Sequence, residues 1–244
     1  MELSKKVVII MGASSGIGEA TTRLLAEKQV KLVIAARRKE KLELIKKELF
    51  NSSIDYLTAD VSKFEEVQEV IDFTLNKYGR IDVMFNNAGI MPTAPLSEGR
   101  REEWQQMLDI NVMGVLNGIA AVLPIMIKQK SGHVISTDSV AGHVVYPNSA
   151  VYCGTKFAVK AIMEGLRQEQ RVNNIKSTLI TPGMVETELY TTINNKETSE
   201  QLKNNQKEFG LKAKDIAEAV LFVINTPNSV SINEMIVRPT SQER

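Results

Sequence analysis

The stretch Val7-Val8-Ile9-Ile10-Met11-Gly12-Ala13-Ser14-Ser15-Gly16-Ile17-Gly18 decides how the rest of the chain is read. Its first five residues are apolar and mostly β-branched, the pattern of a parallel strand buried on both faces. After Gly18, Ala20, Leu24 and Leu25 recur at helical spacing. The three glycines therefore fall between a strand and a helix. In that position a glycine turn lets backbone approach a pyrophosphate, and the helix N-terminus offers its free amides and positive dipole end to the anion. Taken by itself, the motif can also be a tight turn that binds nothing.

Working outward, short apolar runs at 31–35, 54–58, 81–85, 133–136, 177–180 and 235–237 alternate with helical patterns at 39–49, 64–77, 102–128, 150–172 and 215–224. Repeated βαβ units with right-handed crossovers predict an α/β fold: a doubly wound parallel sheet of the Rossmann type, about seven strands with helices on both faces. No composition break divides it, so residues 1–244 are expected to form one domain. Residues 185–210 depart from the regularity. They are polar and rich in Asn, Thr, Glu and Lys, and read equally as a substrate lid or as a plain surface helix pair.

Composition narrows the function classes. A net charge of +1 over 244 residues, with no long basic block, gives no general attraction to nucleic acid. One cysteine excludes an internal disulfide and supplies no zinc-ligand cluster, so no metal is expected. The apolar stretch 119–127 is interrupted by Pro124 and is too short to span a bilayer. Residues 1–6 are mostly polar and charged and the apolar run after them is too short for a signal-peptide core, so no secretory signal is expected. The expectation is a cytoplasmic protein with a small-molecule partner, no membrane and no nucleic acid.

Chemistry enters at Tyr152-Cys153-Gly154-Thr155-Lys156. Positions i and i+4 share a helix face, so the Lys156 ammonium can lie beside the Tyr152 phenol. A phenol ionises near pH 10, and a fixed cation nearby moves it toward the working range of an acid–base catalyst. Cys153 lies about 100° around the helix and reads as packing.

Together these motifs resemble the short-chain dehydrogenase/reductase family, in its single-domain branch, over essentially the whole chain. Met11-Gly12-Ala13-Ser14-Ser15-Gly16-Ile17-Gly18 matches its glycine pattern, with Met11 in place of the usual threonine. Asn86-Asn87-Ala88-Gly89 matches a second motif, and Pro182-Gly183 with Thr187 a third. The resemblance implies a catalytic tetrad of Asn111, Ser139, Tyr152 and Lys156: proton transfer by Tyr152, stabilisation of the carbonyl oxygen by Ser139, and a helix kink with a water relay at Asn111. It also implies cofactor contacts from Gly12, Ser14, Ser15, Gly16, Ile17 and Gly18, from Asp60 and Val61 near the adenine, and from Asn87, Ala88 and Gly89. Tyr152, Lys156, Pro182, Gly183, Val185 and Thr187 complete that set. Asp60 can equally be the N-cap of the following helix.

Cofactor choice follows from charge. NAD-binding relatives place an acid at the end of the second strand, whereas this chain reads Ala35-Ala36-Arg37-Arg38. Two guanidinium groups suit a 2′-phosphate, so NADP(H) is expected. The substrate, an alcohol or carbonyl compound, is expected against Ser139, Tyr152, Met91, Val145, Tyr146, Met184 and Tyr190, within a mainly apolar surround of Ile90, Pro92, Val144 and Leu189. Carbonyl reduction is the favoured direction. The tail, Met235 to Ser241, resembles the serine and hydroxy-acid dehydrogenase-like branch. A 3-oxoacyl carrier-protein reductase and a non-catalytic NADP-sensing protein are the alternatives. The resemblance further implies a homotetramer, through surplus apolar residues Val112, Val115, Leu116 and Ile119 on one long helix and Phe157, Ala161 and Leu166 on another.

Overall fold

In the computed structural model, which describes residues 2–243, the first apolar run forms strand β1 (Val7–Met11), buried along its whole length. Chain order continues through α1 (Gly16–Glu27), β2 (Lys31–Ala36), α2 (Lys39–Glu48), β3 (Ile54–Thr58), α3 (Phe64–Tyr78) and β4 (Val83–Asn86). It goes on through α4 (Arg101–Met107), α5 (Gly114–Gln129), β5 (Gly132–Thr137), α6 (Ala150–Gln170) and β6 (Ile175–Pro182). The last elements are β7 (Val185–Glu186), α7 (Lys196–Phe209), β8 (Leu211–Lys212), α8 (Ala213–Ile224) and β9 (Glu234–Val237). Seven strands form one parallel sheet in the order β3-β2-β1-β4-β5-β6-β9. The chain builds outward from β1 to β3, then returns to place β4 on β1's other side. That reversal opens a crevice at the carboxyl ends of β1 and β4, where doubly wound sheets bind ligands.

Strand alternation sorts the core into two layers. Val8 and Ile10 of β1 pack with Leu25, Leu42, Ile45 and Val220 from α1, α2 and α8. Ile9 and Met11 face the opposite layer, with Val67 and Ile71 of α3, Val122 of α5, and Val159 and Met163 of α6. A continuous β-branched run on β1 is what two covered faces require.

The helix expected over 102–128 is not a single α-helix. A π-helical turn, Leu108–Met113, separates α4 from α5. Its centre is Asn111, whose Oδ1 accepts from the Ile90 amide at 2.9 Å and whose Nδ2 donates to the Ile90 carbonyl at 2.9 Å. A buried amide side chain that satisfies another segment's backbone offsets the irregular turn. Just beyond it, a Cβ on Gly114 would lie 2.7 Å from Val61, so the close approach of α5 to the β3–α3 loop needs glycine. By composition the helical run Arg101–Gln129 is long and apolar enough to cross a membrane, yet half of that window is buried, and Val115, Ile119, Val122 and Met126 belong to the sheet's core. It is a core helix here.

Residues 185–210 are neither structureless nor a helix pair. Val185–Glu186 pairs in parallel with Leu211–Lys212, closing a loop that holds a 3-10 turn, Glu188–Thr192, and α7. The loop is tied to the body by Thr192 Oγ1, which accepts from the Met91 amide at 2.9 Å, and by Asn194, whose Nδ2 donates to Glu103 at 2.6 Å.

The surplus apolar positions divide. Val115 and Ile119 of α5 and Leu166 of α6 are core residues packed in the sheet's cluster, contrary to the expectation that they face a partner. Of the expected set Phe157 on α6 remains 41% exposed, and Met113 and Leu108 of the π-turn, which were not in that set, are 45% exposed.

Candidate active site

Loops that follow the strand carboxyl ends line a single cleft of about 830 Å³. The glycine turn, Arg37 and Arg38 after β2, Asp60 and Val61 after β3, Asn87 to Gly89 after β4, Ser139 after β5 and Gly183 after β6 all reach it. The floor is built by backbone. Gly12, at φ +77°, passes so close to the β4 loop that a Cβ would sit 2.6 Å from the Ala88 backbone. Gly16, at φ +56°, approaches Thr187 across the cleft, where a Cβ would meet its methyl at 3.1 Å. Both conformations and both contacts favour glycine. Gly18 lies behind the turn rather than on its surface, with a Cβ position 2.3 Å from the Gly12 carbonyl oxygen. Asn87 fastens this floor: Nδ2 donates to the Gly12 carbonyl at 3.0 Å and Oδ1 accepts from the Thr137 hydroxyl at 2.9 Å.

On the far wall α6 presents Tyr152 and Lys156, both buried. The ammonium stands 5.7 Å from the centre of the phenol ring and donates to the Thr137 carbonyl at 2.8 Å. The expected lowering of the phenol pKa by Lys156 is not what governs here. Burial pushes the Tyr152 phenol up, and a side-chain hydrogen bond with Ser139 pulls only partly the other way. Burial also lowers Lys156, with the Asp138 charge opposing. The phenol is accordingly neutral near pH 7 and suited to donate a proton. Ser139 starts the 3-10 turn Val140–Gly142, its Oγ accepting from the Ala141 amide at 3.1 Å.

Asp138 is a cleft residue that the sequence did not single out. Both carboxylate oxygens are buried, and Gly142 abuts it so closely that a Cβ would lie 2.6 Å from Oδ2. Burial pushes its pKa up to about 6, against the attraction of Lys156. An unfolded aspartate releases its proton near pH 4, so between about pH 4 and 6 the folded state binds more protons and stability falls as pH rises. Asp138→Asn is expected to raise stability above pH 6 by on the order of 2 kcal/mol and to have little effect below pH 4. Thermal melts across that pH range check it, and a constant difference between the variants at all pH values would contradict it.

Asp138, His143 and Glu234 bring possible ligand atoms within 4.8 Å of one another, but Lys160 already supplies the cation. Its ammonium donates to His143 Nδ1 at 2.9 Å, which leaves Nε2–H to donate to Glu234 Oε1 at 2.6 Å. Thr181 completes the acceptor with a 3.0 Å bond. His143 is thus part of a polar network beside the site.

Most of the expected site residues converge. Gly12, Ser14, Ser15, Gly16, Ile17, Arg37, Arg38, Asp60, Val61, Asn87, Ala88 and Gly89 line the cleft. So do Met91, Ser139, Tyr146, Tyr152, Lys156, Pro182, Gly183, Met184, Val185 and Thr187. Three expectations fail on position. Val145 is 65% exposed and lies off the cleft wall. Tyr190 also lies off it, its ring 5.7 Å from the Lys203 ammonium. Gly18 lies beneath the turn, off the cleft, whereas Asn111, buried behind the wall, sits in the π-turn where a kink was expected. Asp60 does not cap α3, whose N-cap is Lys63. Its Oδ1 instead accepts from the Ser62 amide and hydroxyl at 3.0 and 2.8 Å, which outweighs burial and holds the carboxyl below its usual range. Missed were Asp138, Glu188 and Gln206, all of which line the cleft.

The family model described as short chain dehydrogenase matches residues 6–198. An uncharacterized oxidoreductase of Staphylococcus saprophyticus is 51% identical over 239 residues, 97% of each chain. Among solved structures, the closed form of serine dehydrogenase complexed with NADP+ is similar at a TM-score of 0.92 and 30% identity, over 98% of this chain and 96% of that one. An alcohol dehydrogenase from the archaeon Thermococcus sibiricus, complexed with 5-hydroxy-NADP, gives a TM-score of 0.88 at 30% identity, over 98% of each chain.

Proposed function

The chain belongs to the short-chain dehydrogenase family, and on that premise we propose that it is an NADP(H)-dependent oxidoreductase interconverting an alcohol with a ketone or aldehyde, reduction being favoured. The observation that carries this is one cleft holding a glycine turn with two arginines at one end and Tyr152, Ser139 and Lys156 at the other. The cradle fits a dinucleotide: side chains are missing where a Cβ would close the floor, at Gly12 and Gly16, and α1 begins there with free amides for a pyrophosphate. At the end of β2, Ser14 and Ser15 accept from the Arg38 guanidinium at 2.7–3.2 Å, fixing it over the turn. The similar serine and alcohol dehydrogenases, solved with NADP+ and 5-hydroxy-NADP, support the same choice.

When bound, the nicotinamide supplies or takes up the hydride. Tyr152 donates its proton to the carbonyl oxygen in reduction, which needs the neutral phenol that burial maintains. Ser139 hydrogen-bonds that oxygen and stabilises the charge that develops on it. Lys156, held by the Thr137 carbonyl, keeps a positive charge beside the phenolate that proton transfer leaves. Asn111 acts through structure, fixing the π-turn against the Ile90 backbone. Among the described residues the cleft wall has no lysine or arginine besides Arg37, Arg38 and Lys156, which favours an uncharged carbonyl compound over an oxo-acid. Following NADPH oxidation against neutral ketones, aldehydes and oxo-acids tests the assignment. Turnover of none of them, or turnover confined to NADH, would overturn it.

The exposed Phe157, Met113 and Leu108 support the homotetramer, since paired α5 and α6 helices across a two-fold axis would cover them. Light scattering at micromolar concentration should give about four times the 27.1 kDa chain mass. A mass of one chain would contradict it.

A further inference from the structure

Arg38 carries an acid where a phosphate is expected. Its Nη1 donates to Glu188 Oε2 at 2.7 Å, across 150 residues of sequence. The rest of the fork is also engaged: Nε and Nη2 reach Ser14 Oγ at 3.2 and 3.0 Å, and Nη2 reaches Ser15 Oγ at 2.7 Å. A guanidinium takes a phosphate bidentately along one of two edges, Nε with Nη2 or Nη1 with Nη2. Ser14 holds the first edge, and Ser15 with Glu188 the second.

These three neighbours are not equivalent. A serine hydroxyl both donates and accepts, so Ser14 and Ser15 can turn and donate to an incoming phosphate. An ionised carboxylate only accepts, and against a phosphate it adds like-charge repulsion. Glu188 is ionised at neutral pH, its carboxyl held below the usual range by the bond from Arg38. Of the three, Glu188 alone has to leave.

We propose that Glu188 is a cofactor-specificity residue whose carboxylate competes with the 2′-phosphate for Arg38, so that NADP(H), unlike NAD(H), displaces it. This rests on Arg38 being the 2′-phosphate anchor of the proposed function. Glu188 also opens the turn Glu188–Thr192, which carries Leu189 and Thr192 on the cleft wall, and it follows Thr187, the residue against Gly16.

The pair is exposed at 42% and 44% of its side chains, so its effect is modest, as for surface ion pairs in general. Fluorescence titration of NADPH and NADH, at low ionic strength, on wild type, Glu188→Gln, Glu188→Asp and Arg38→Ala decides the matter. Glu188→Gln should bind NADPH about 2- to 5-fold more tightly with NADH unchanged, and Glu188→Asp should stay near wild type. An unchanged or weaker NADPH affinity in Glu188→Gln, or equal tightening of both cofactors, overturns the proposal. If Arg38→Ala leaves the NADPH-to-NADH ratio as in wild type, the anchor assignment fails and this competition with it. If that ratio collapses while Glu188→Gln does not move it, only the role of Glu188 fails.

Discussion

Tyr152→Phe is expected to lower turnover by at least ~10²-fold, the range lost with a general acid, while leaving NADPH binding nearly unchanged. The substitution deletes one oxygen and keeps the ring, which packs with Met107, Ala141 and Cys153 in a small buried cluster. Stability should change little, because the phenol sits at the cleft and not in the sheet core. The partner groups also bound the result. Ser139 stays anchored by the Ala141 amide and Lys156 by the Thr137 carbonyl, so neither collapses into the space. Initial rates at saturating NADPH, with cofactor affinity measured separately, check the assignment. Turnover within a few-fold of wild type would remove Tyr152 from the chemistry and with it the tetrad.

The sheet was legible because its innermost strands are buried on both faces and so appear as nearly unbroken apolar runs, Val7–Met11 above all. The glycine turn was legible for a related reason: a floor made of backbone favours residues without Cβ atoms, Gly12 through a backbone contact at 2.6 Å and Gly16 through its φ of +56°. Periodicity carries no such signal for the π-turn. Residues 102–128 keep an apolar face throughout, and the extra residue in the turn is compensated by Asn111 bonding to Ile90, a contact set by tertiary structure. Loop side chains were the least readable. Tyr146 and Val145 are adjacent, yet Tyr146 lines the cleft and Val145 points to solvent. Residue type alone does not say which way an irregular backbone turns its neighbours. The Arg38–Glu188 pair was beyond reach for another reason, since nothing in either local sequence marks a partner 150 positions away.

Electrostatics shows where single-residue reasoning needed the fold. From spacing, Lys156 should depress the Tyr152 phenol. In place, the ammonium is directed at the Thr137 carbonyl and burial dominates the phenol. The outcome suits one direction of chemistry: a neutral donor is ready for carbonyl reduction, whereas alcohol oxidation needs the proton removed first.

Arg37→Ala with Arg38→Ala is expected to weaken NADPH by ~10²-fold and NADH by no more than about twofold. A charge-assisted hydrogen bond is worth ~1.5–3 kcal/mol where well formed, and two arginines reach the cleft at the end of β2. The lower end of that range applies, because the Arg38 side chain is 42% exposed and solvent screens it. NADH presents a ribose hydroxyl at the same place, a neutral group that gains little from a cation. The double variant also frees Ser14, Ser15 and Glu188 from the guanidinium. Isothermal titration of both cofactors measures the two losses directly. Equal losses for NADPH and NADH would mean that the arginines hold the turn in shape and do not read the phosphate, and the cofactor assignment would fall.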